Sequence, residues 1–160
     1  MAYFQQPQRP IADGQYTQTI YTLIKDQKFA EAITYLQYQL QNIPESRAAL
    51  SLLGYCYYYT GQYDNASQMY EQLVTLFPTN EDYKLYYSQS LYKDDLTGCR
   101  RQLDKCVPED PDTMVNTGCI MFKEGKFEAA RQKFNEDVQR ATAYDSVLAY
   151  NSVLQRTTAC

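Results

Sequence analysis

The chain has no histidine and no tryptophan, and it has few glycines and prolines, six of each. Without histidine, the Ser-His and Cys-His pairs that activate nucleophiles cannot form within this chain. Neither a GxxxxGK[ST] nor a GxGxxG stretch is present, so no phosphate-binding loop is predicted. The acidic pairs Asp94-Asp95 and Glu109-Asp110 fall at predicted helix starts, where carboxylates act as caps. An enzyme is therefore the weakest hypothesis, and no cofactor is expected.

The cysteines do not follow a metal-binding pattern either. No two of the five form a CxxC pair, and no histidine is available to complete a zinc site, so no metal is expected. Cys99 and Cys106 share a predicted helical face, which would in principle allow them to pair. We favour the interpretation that both are small core residues in a reducing compartment.

Long apolar runs are missing as well, and so is a charged-then-apolar leader, which leads us to expect neither a membrane span nor a signal peptide. The formal net charge is −4, which argues against nucleic acid as a partner because phosphate contacts need a basic surface. The Gln- and Pro-rich stretch from Gln5 to Pro10 predicts a flexible N-terminal tail over residues 1–12.

The chain does contain a sequence pattern of about 34 residues that occurs twice in succession. Small residues, aromatic residues and a closing proline recur at fixed places, and a helix pair of this length resembles the tetratricopeptide repeat (TPR). Gly54 and Ala66 take the places where two helices cross, and Gly61 lies between the helices, where a positive φ ends the first one. The first copy contains Phe29, Ala32, Leu36 and Pro44, and the second contains Tyr63, Ala66, Tyr70 and Pro78.

Two further units follow. The third is irregular, with Cys99 in the small-residue place and a shortened connection, whereas Gly118, Gly125 and Phe134 restore the spacing in the fourth. We predict an all-α, TPR-type solenoid of about four helix-turn-helix repeats plus a terminal partial helix, over residues 13–156, with a tail at 157–160. The predicted helices are 13–26, 29–42, 47–59, 63–77, 81–93, 95–107, 112–123, 127–142 and 145–156.

The seventeen tyrosines carry the functional prediction. In a TPR stack the first helix of each repeat lines a concave groove, and a helix cannot turn four near-consecutive tyrosines inward. Aromatic rings with hydroxyl tips suit an extended, proline-containing peptide. We expect Tyr57, Tyr63 and Tyr70 to be buried behind this groove. The predicted partner-binding residues are Tyr21, Tyr55, Tyr58, Tyr92 and Phe122.

One familiar kind of TPR groove is not expected here. TPR proteins that clamp the terminal carboxylate of chaperone tails use basic residues and asparagine on these inner helix faces. The corresponding places in this chain hold no basic residue, so a carboxylate clamp is disfavoured. Those places are Thr17, Tyr21, Ser51, Tyr55, Leu85 and Gln89.

A closer resemblance lies in three longer strings. They start at Tyr21 (YTLIKD), Ser46 (SRAALSLLGYCYY) and Val115 (VNTGCIMFKEG), and together they resemble the N-terminal part of the tetratricopeptide-repeat protein 30 family. The matches extend from about Ile11 to Tyr150. That family is a TPR subunit of the ciliary intraflagellar transport B complex, and its many repeats close around a proline-rich segment of another subunit. The family pattern has about one more repeat where this chain joins Lys93 to Asp94.

The resemblance implies a non-enzymatic scaffold that supports cilium assembly and anterograde transport, located in the cilium (axoneme or basal body) and the cytoplasm. It also implies other intraflagellar transport B subunits as partners and a link to tubulin polyglutamylation. Two alternatives remain open. One is a generic cytosolic TPR adaptor that binds a different extended peptide. The other is a shortened, self-associating form that uses an uncapped C-terminal helix at 147–154.

Overall fold

The computed structural model describes residues 11, 14–140 and 142, and within these residues it contains helices and no strand. The chain divides into two compact units, the first ending at Lys105 and the second beginning at Cys106. The first unit contains six helices, each packed against the next: α1 (Tyr16–Lys25), α2 (Phe29–Asn42), α3 (Arg47–Tyr59), α4 (Tyr63–Leu76), α5 (Glu81–Leu91) and α6 (Leu96–Leu103). The second unit contains α7 (Pro111–Lys123) and α8, which covers 127–140.

The predicted all-α, TPR-type fold is confirmed, and α2 and α3 begin and end at the predicted residues. The largest difference is at α6, which was predicted to reach residue 107 but ends at Leu103. The backbone N–H of Lys105 bonds to the carbonyl of Gln102, three residues back, so the chain is already turning there. Pro108 also disfavours a helical conformation at Val107. The predicted helix at 145–156 lies outside the described residues.

Four helices begin at a side-chain cap. The side chains of Ser46, Asn80, Asp95 and Asp110 each accept a hydrogen bond from the backbone N–H three residues later. Such a cap satisfies a helix donor that otherwise has no partner within the helix. The interpretation of the acidic pairs as helix caps is thus confirmed at Asp95 and Asp110, where the distances to the accepted N–H are 2.8 and 2.9 Å.

Three of the turns between paired helices share one geometry. Gln27, Gly61 and Gly125 have φ of 58°, 75° and 79°. At the second turn, the N–H of Gly61 bonds to Tyr58 O and the N–H of Gln62 bonds to Tyr57 O, which is a Schellman motif. The predicted positive φ at Gly61 is confirmed. Gln27 has the same role one period earlier, in a conformation that a side chain disfavours.

Close helix packing depends on the predicted small residues. Ala66 is fully buried, and a Cβ added to Gly54 would come within 2.9 Å of the ring of Tyr70. In the second unit, a Cβ on Gly118 would come within 2.6 Å of the ring of Phe134. In both pairs the glycine and the aromatic residue are sixteen positions apart. The repeat register assigned from sequence therefore corresponds to a repeated packing contact.

The third helix pair, α5 and α6, has buried small residues like the other pairs but a different turn between its helices. Ser88 and Cys99, which take the small-residue places, are 0% and 2% exposed. The turn between α5 and α6 contains no residue of positive φ, and instead the N–H of Asp94 and the N–H of Asp95 both bond to Leu91 O. The expected joining of two repeats at Lys93 and Asp94 would account for this difference.

An arginine connects the start of α3 with the end of α4 and the start of α5. The guanidinium of Arg47 lies over the rings of Phe77 and Tyr83, 5.1 and 5.3 Å from their centres. Its Nε also donates a 2.7 Å hydrogen bond to the Tyr83 hydroxyl. The contact fixes one helix pair against the next through a cation and two aromatic rings.

Candidate peptide-binding cleft

A cleft of about 380 Å³ opens between α3, α4 and α5 in the first unit. We call it the tyrosine cleft, because five of its eight lining residues are tyrosines and the others are Ser51, Leu52 and Gln89. None of the eight is an aspartate, glutamate, lysine or arginine. Its tyrosines are Tyr55, Tyr58 and Tyr59 from α3, Tyr70 from α4 and Tyr86 from α5.

Two of the predicted binding residues, Tyr55 and Tyr58, line this cleft. Tyr21 lies on α1 with 56% of its surface exposed, and Tyr92 is half-buried at the end of α5, but neither lines the cleft. Phe122 belongs to the second unit, where it is exposed and packs edge-on against Phe127 at 5.2 Å. Of the four predicted residues in the first unit, Tyr55 and Tyr58 alone line this cleft.

Tyr57 and Tyr70 are buried as predicted, but the expectation for Tyr63 is wrong, because that residue is only half-buried. Tyr63 is the first residue of α4, so its ring lies at the end of the helix pair. There it packs edge-on against the ring of Tyr58, with the centres 5.5 Å apart. Because Tyr58 lines the cleft, Tyr63 supports the cleft wall from outside.

Two cleft residues, Tyr59 and Tyr86, were missed by the sequence reasoning. Tyr59 follows Tyr55 by four positions, a spacing that places both on one helix face, and their ring centres are 4.4 Å apart. Tyr86 comes three residues before Gln89, which the repeat count did place in the groove. Its ring lies 5.6 Å from that of Tyr70. The helical spacing was therefore an available signal for both residues.

The aromatic contacts extend from the cleft to the preceding repeat. The ring of Tyr59 stacks on Phe29 of α2, with the centres 6.1 Å apart and the planes at 17°. It also meets the ring of Tyr58 nearly edge-on at 5.9 Å. These contacts hold Tyr59 in place although 61% of its surface is exposed. Aromatic pairs at such distances stabilise one another beyond simple burial.

The environment of the cleft raises the pKa values of three of its phenols. Burial raises the pKa of Tyr55, and the hydrogen bond with Tyr59 and electrostatic repulsion from Tyr59 and Cys56 raise it further. The pKa of Tyr58 is raised by burial and then by Tyr63 and Tyr59. Burial, followed by repulsion from Tyr86, also raises the pKa of Tyr70. A negative charge is thus disfavoured at all three positions.

A second cavity of about 490 Å³ lies between α2, α3 and α4. Four side-chain amides line it, those of Gln37, Gln41, Asn65 and Gln68, together with Leu40, Leu53, Tyr57 and Met69. Gln37 Nε2 donates a 2.7 Å hydrogen bond to the Tyr57 hydroxyl, which satisfies the polar tip of that buried ring. We call this the amide cavity.

No disulfide joins the cysteines among the described residues, and Cys56, Cys99 and Cys106 are buried. Burial raises the pKa of Cys56 to about 11. The described part of the chain holds no group of three or more histidine, cysteine, aspartate or glutamate residues placed to bind a metal. Nor does it contain a helix long and apolar enough to cross a membrane.

Comparison with known sequences identifies relatives over most of the chain. A family model described as "Tetratricopeptide repeat" matches residues 23–92. The chain is 39% identical over 178 residues to "Tetratricopeptide repeat protein 30 homolog" of Caenorhabditis briggsae, covering 90% of this chain and 27% of that protein. It is 38% identical to "Intraflagellar transport protein 70A" of Xenopus tropicalis, covering 91% of this chain and 28% of that protein. The chain therefore spans little more than a quarter of the length of these relatives.

The alignment with the Caenorhabditis protein is longer than the part of this chain that it uses. It extends over 178 residues, whereas 90% of the 160 residues of this chain is about 144. About 34 aligned positions are thus left without a residue in this chain, which is the length of one TPR. The difference supports the expectation that one repeat is missing relative to the family.

Solved structures with the same architecture include a MamA RS-1 double mutant, with a TM-score of 0.74 and 18% identity, covering 82% of this chain and 76% of that one. A crystal structure of MamA gives a TM-score of 0.68 at 16% identity, covering 78% of this chain and 70% of that one. At such low identity, these likenesses show the fold alone.

Proposed function

The chain is a homologue of the tetratricopeptide-repeat protein 30 family, and from this premise we propose that it is a non-enzymatic scaffold that binds an extended segment of another protein. The segment would be proline-containing and would lie in the tyrosine cleft. The partner would be another subunit of the intraflagellar transport B complex, and the site of action would be the cilium.

The observation that carries this proposal is the tyrosine cleft itself. Five tyrosine rings from three helices line one opening, and no charged side chain is among the lining residues. Flat, rigid rings contact the faces of proline rings over a large area without losing much side-chain freedom. A polyproline II segment is already extended before it binds, so little of its conformational entropy is lost. Its backbone carbonyls are unpaired and accept hydrogen bonds from phenol hydroxyls.

The intraflagellar part of the proposal rests on the printed names of the relatives. One is named a tetratricopeptide repeat protein 30 homolog and another an intraflagellar transport protein. The cleft lies between α3 and α5, inside the segment that matches the repeat model. Because this chain spans only about a quarter of the relatives, its four helix pairs would contact less of a partner segment than a longer repeat array.

A pull-down tests this proposal. The 160-residue chain is immobilised, incubated with an extract of ciliated cells, washed, and the retained proteins are identified by mass spectrometry. We expect intraflagellar transport subunits to be retained, and the Tyr55→Ala, Tyr58→Ala double variant to lose them. Retention of other proteins only, through the same tyrosines, would instead identify a generic TPR adaptor. The segment 147–154, proposed for self-association, lies outside the described residues. A molecular mass in solution that rises with protein concentration would reveal such self-association.

A further inference from the structure

The tyrosine cleft concentrates electron-rich rings in one place. The ring centres of Tyr55 and Tyr59 are 4.4 Å apart, those of Tyr58 and Tyr59 are 5.9 Å apart, and those of Tyr70 and Tyr86 are 5.6 Å apart. Each phenol ring carries a negative quadrupole over its face. Several such rings around one opening create an environment that favours a positively charged group without containing a formal negative charge.

Nothing that lines the cleft opposes a cation. Neither lysine nor arginine is among the eight lining residues, so no like charge repels an incoming positive group. The volume of about 380 Å³ is several times larger than a guanidinium group, which leaves space for the neighbouring residues of a bound segment. The net charge of the chain, −4, adds no overall repulsion against a cationic segment.

The chain already holds an arginine against aromatic rings elsewhere in the first unit. Arg47 lies over Phe77 and Tyr83, with its guanidinium carbon 5.1 and 5.3 Å from the ring centres. The same arginine donates a hydrogen bond of 2.7 Å to the Tyr83 hydroxyl. A phenol thus supplies both an aromatic face and an acceptor to one guanidinium. The tyrosine cleft is lined by the same kind of side chain, a phenol with a ring and a hydroxyl, and no arginine is among its lining residues.

We propose that the tyrosine cleft binds an arginine side chain of the partner segment, held among the rings of Tyr55, Tyr58 and Tyr59, next to prolines that lie along the cleft. This inference rests on the proposed function and adds a sequence requirement to it. Arginine fits better than lysine, because the guanidinium is planar, stacks on aromatic rings and is more weakly hydrated than an ammonium group. The segment recognised would therefore combine prolines with an arginine.

Synthetic peptides test this requirement directly. We would titrate the full 160-residue chain with three fluorescently labelled, end-blocked peptides, each with three prolines on either side of a central arginine, lysine or glutamine, and follow the anisotropy. Cation–π contacts in partly desolvated sites predict that the arginine peptide binds roughly fivefold to thirtyfold tighter than the glutamine peptide. The lysine peptide should fall between them.

Variants at Tyr59 assign the preference to the rings. Tyr59→Leu should lower the ratio of the arginine-peptide affinity to the glutamine-peptide affinity to less than about half of its value in the parent chain, because an apolar side chain has no comparable quadrupole. The glutamine peptide should still bind. Tyr59→Phe should retain the preference. Tyr38, another exposed tyrosine outside the cleft, gives the matched control: Tyr38→Leu should leave all three affinities unchanged. Circular dichroism verifies that each variant remains helical.

The outcomes separate this inference from the proposed function. Equal binding of the arginine and glutamine peptides would overturn the arginine requirement and leave the proline-binding scaffold intact. Binding of none of the three peptides would contradict both. An arginine preference that persists in Tyr59→Leu with the same magnitude would place the cation elsewhere and overturn the assignment to these rings.

Discussion

Gly54 lies directly under the ring of Tyr70, so close that a Cβ on the glycine would be 2.9 Å from Cζ of that ring. Gly118 has the same relationship with Phe134 in the second unit. One period before Gly54 and Tyr70, the corresponding positions hold Ile20 and Leu36, both fully buried. A large ring is thus paired with a glycine, and a medium-sized side chain with another of similar size. We interpret this exchange of volume as two ways to fill the same space between packed helices.

The volume exchange makes a prediction for a double-mutant cycle. Gly54→Ile should destabilise the chain by about 1–3 kcal/mol because it overpacks the space under Tyr70. Tyr70→Leu should also destabilise it, because it leaves a cavity. The double variant recreates the Ile-Leu pair of the first repeat and should be more stable than the sum of the two changes predicts. Urea denaturation followed by circular dichroism measures all four chains. Additive effects would show that the two positions do not share one packing site.

A second packing prediction concerns Ala66, which is fully buried where α4 crosses its neighbours. Ala66→Leu should lower the free energy of unfolding by about 1–3 kcal/mol, because three extra carbons have no space at the crossing. Ala30, exposed on α2, gives the control, and Ala30→Leu should change stability by less than about 0.5 kcal/mol. Thermal unfolding of Ala66→Leu that matches the parent would refute the assigned repeat register.

The sequence predicted the parts of the fold that depend on local chemistry. Glycine between two helices predicts a positive φ, and aspartate at a helix start predicts a cap. The roles of Gly61, Asp95 and Asp110 therefore followed from their residue types. The positive φ of Gln27 could not be predicted from its residue type, because glutamine does not favour this conformation. Only the repeat period, which aligns Gln27 with Gly61, indicates it. The end of α6 was missed because the helical spacing of Leu103 and Cys106 continues past the last helical turn.

The candidate site was less predictable than the fold. Tyr55 and Tyr58 were found because both lie on one helix whose inward face follows from the repeat. Tyr70 was assigned to the core, but its large ring both fills the space over Gly54 and reaches the cleft. Tyr86 was missed because the cleft is formed by three helices, and a pattern read along one helix does not reveal which rings meet across the others.

The left-handed residue at the first turn allows a reciprocal pair of substitutions. Gln27 has φ of 58°, and the corresponding residue one period later is Gly61, with φ of 75°. Gln27→Gly should stabilise the chain by about 0.5–1 kcal/mol, since the relief of left-handed strain exceeds the added entropy of the unfolded chain. Gly61→Gln should destabilise it by about 1 kcal/mol. Equal midpoints of denaturation for both variants and the parent would contradict this account of the turns.

The thiols should differ in reactivity. Burial raises the pKa of Cys56 to about 11, so at pH 8 very little of this thiol is the reactive thiolate. Cys119 is only half-buried and should be alkylated by iodoacetamide much faster. Raising the pH toward 11 increases the thiolate fraction of Cys56 and should therefore reduce the difference in alkylation rate between Cys56 and Cys119. Peptide-level mass spectrometry after timed alkylation measures both rates. Faster alkylation of Cys56 than of Cys119 at pH 8 would show that α3 opens more readily than its packing implies.

The last prediction connects the cleft to binding. Tyr55 and Tyr58 are 38% and 36% exposed and line the cleft together, so truncating both removes contact area while leaving the buried ring of Tyr57 in place. Because they are partly exposed, Tyr55→Ala with Tyr58→Ala should keep the helical circular dichroism of the parent. The loss of two aromatic anchors from one interface generally costs several kcal/mol of binding free energy, on the order of 2 kcal/mol for each central anchor.

That loss should abolish measurable capture of a proline-rich peptide by the immobilised chain. Capture by the parent should depend weakly on salt, because no charged side chain lines the cleft and a single cation among rings is screened less than an exposed ion pair. Gln41→Ala with Gln68→Ala, which alters the amide cavity instead, should bind like the parent. Capture that survives the tyrosine double variant, or that collapses at modest salt, would place the peptide on another surface and favour a generic adaptor.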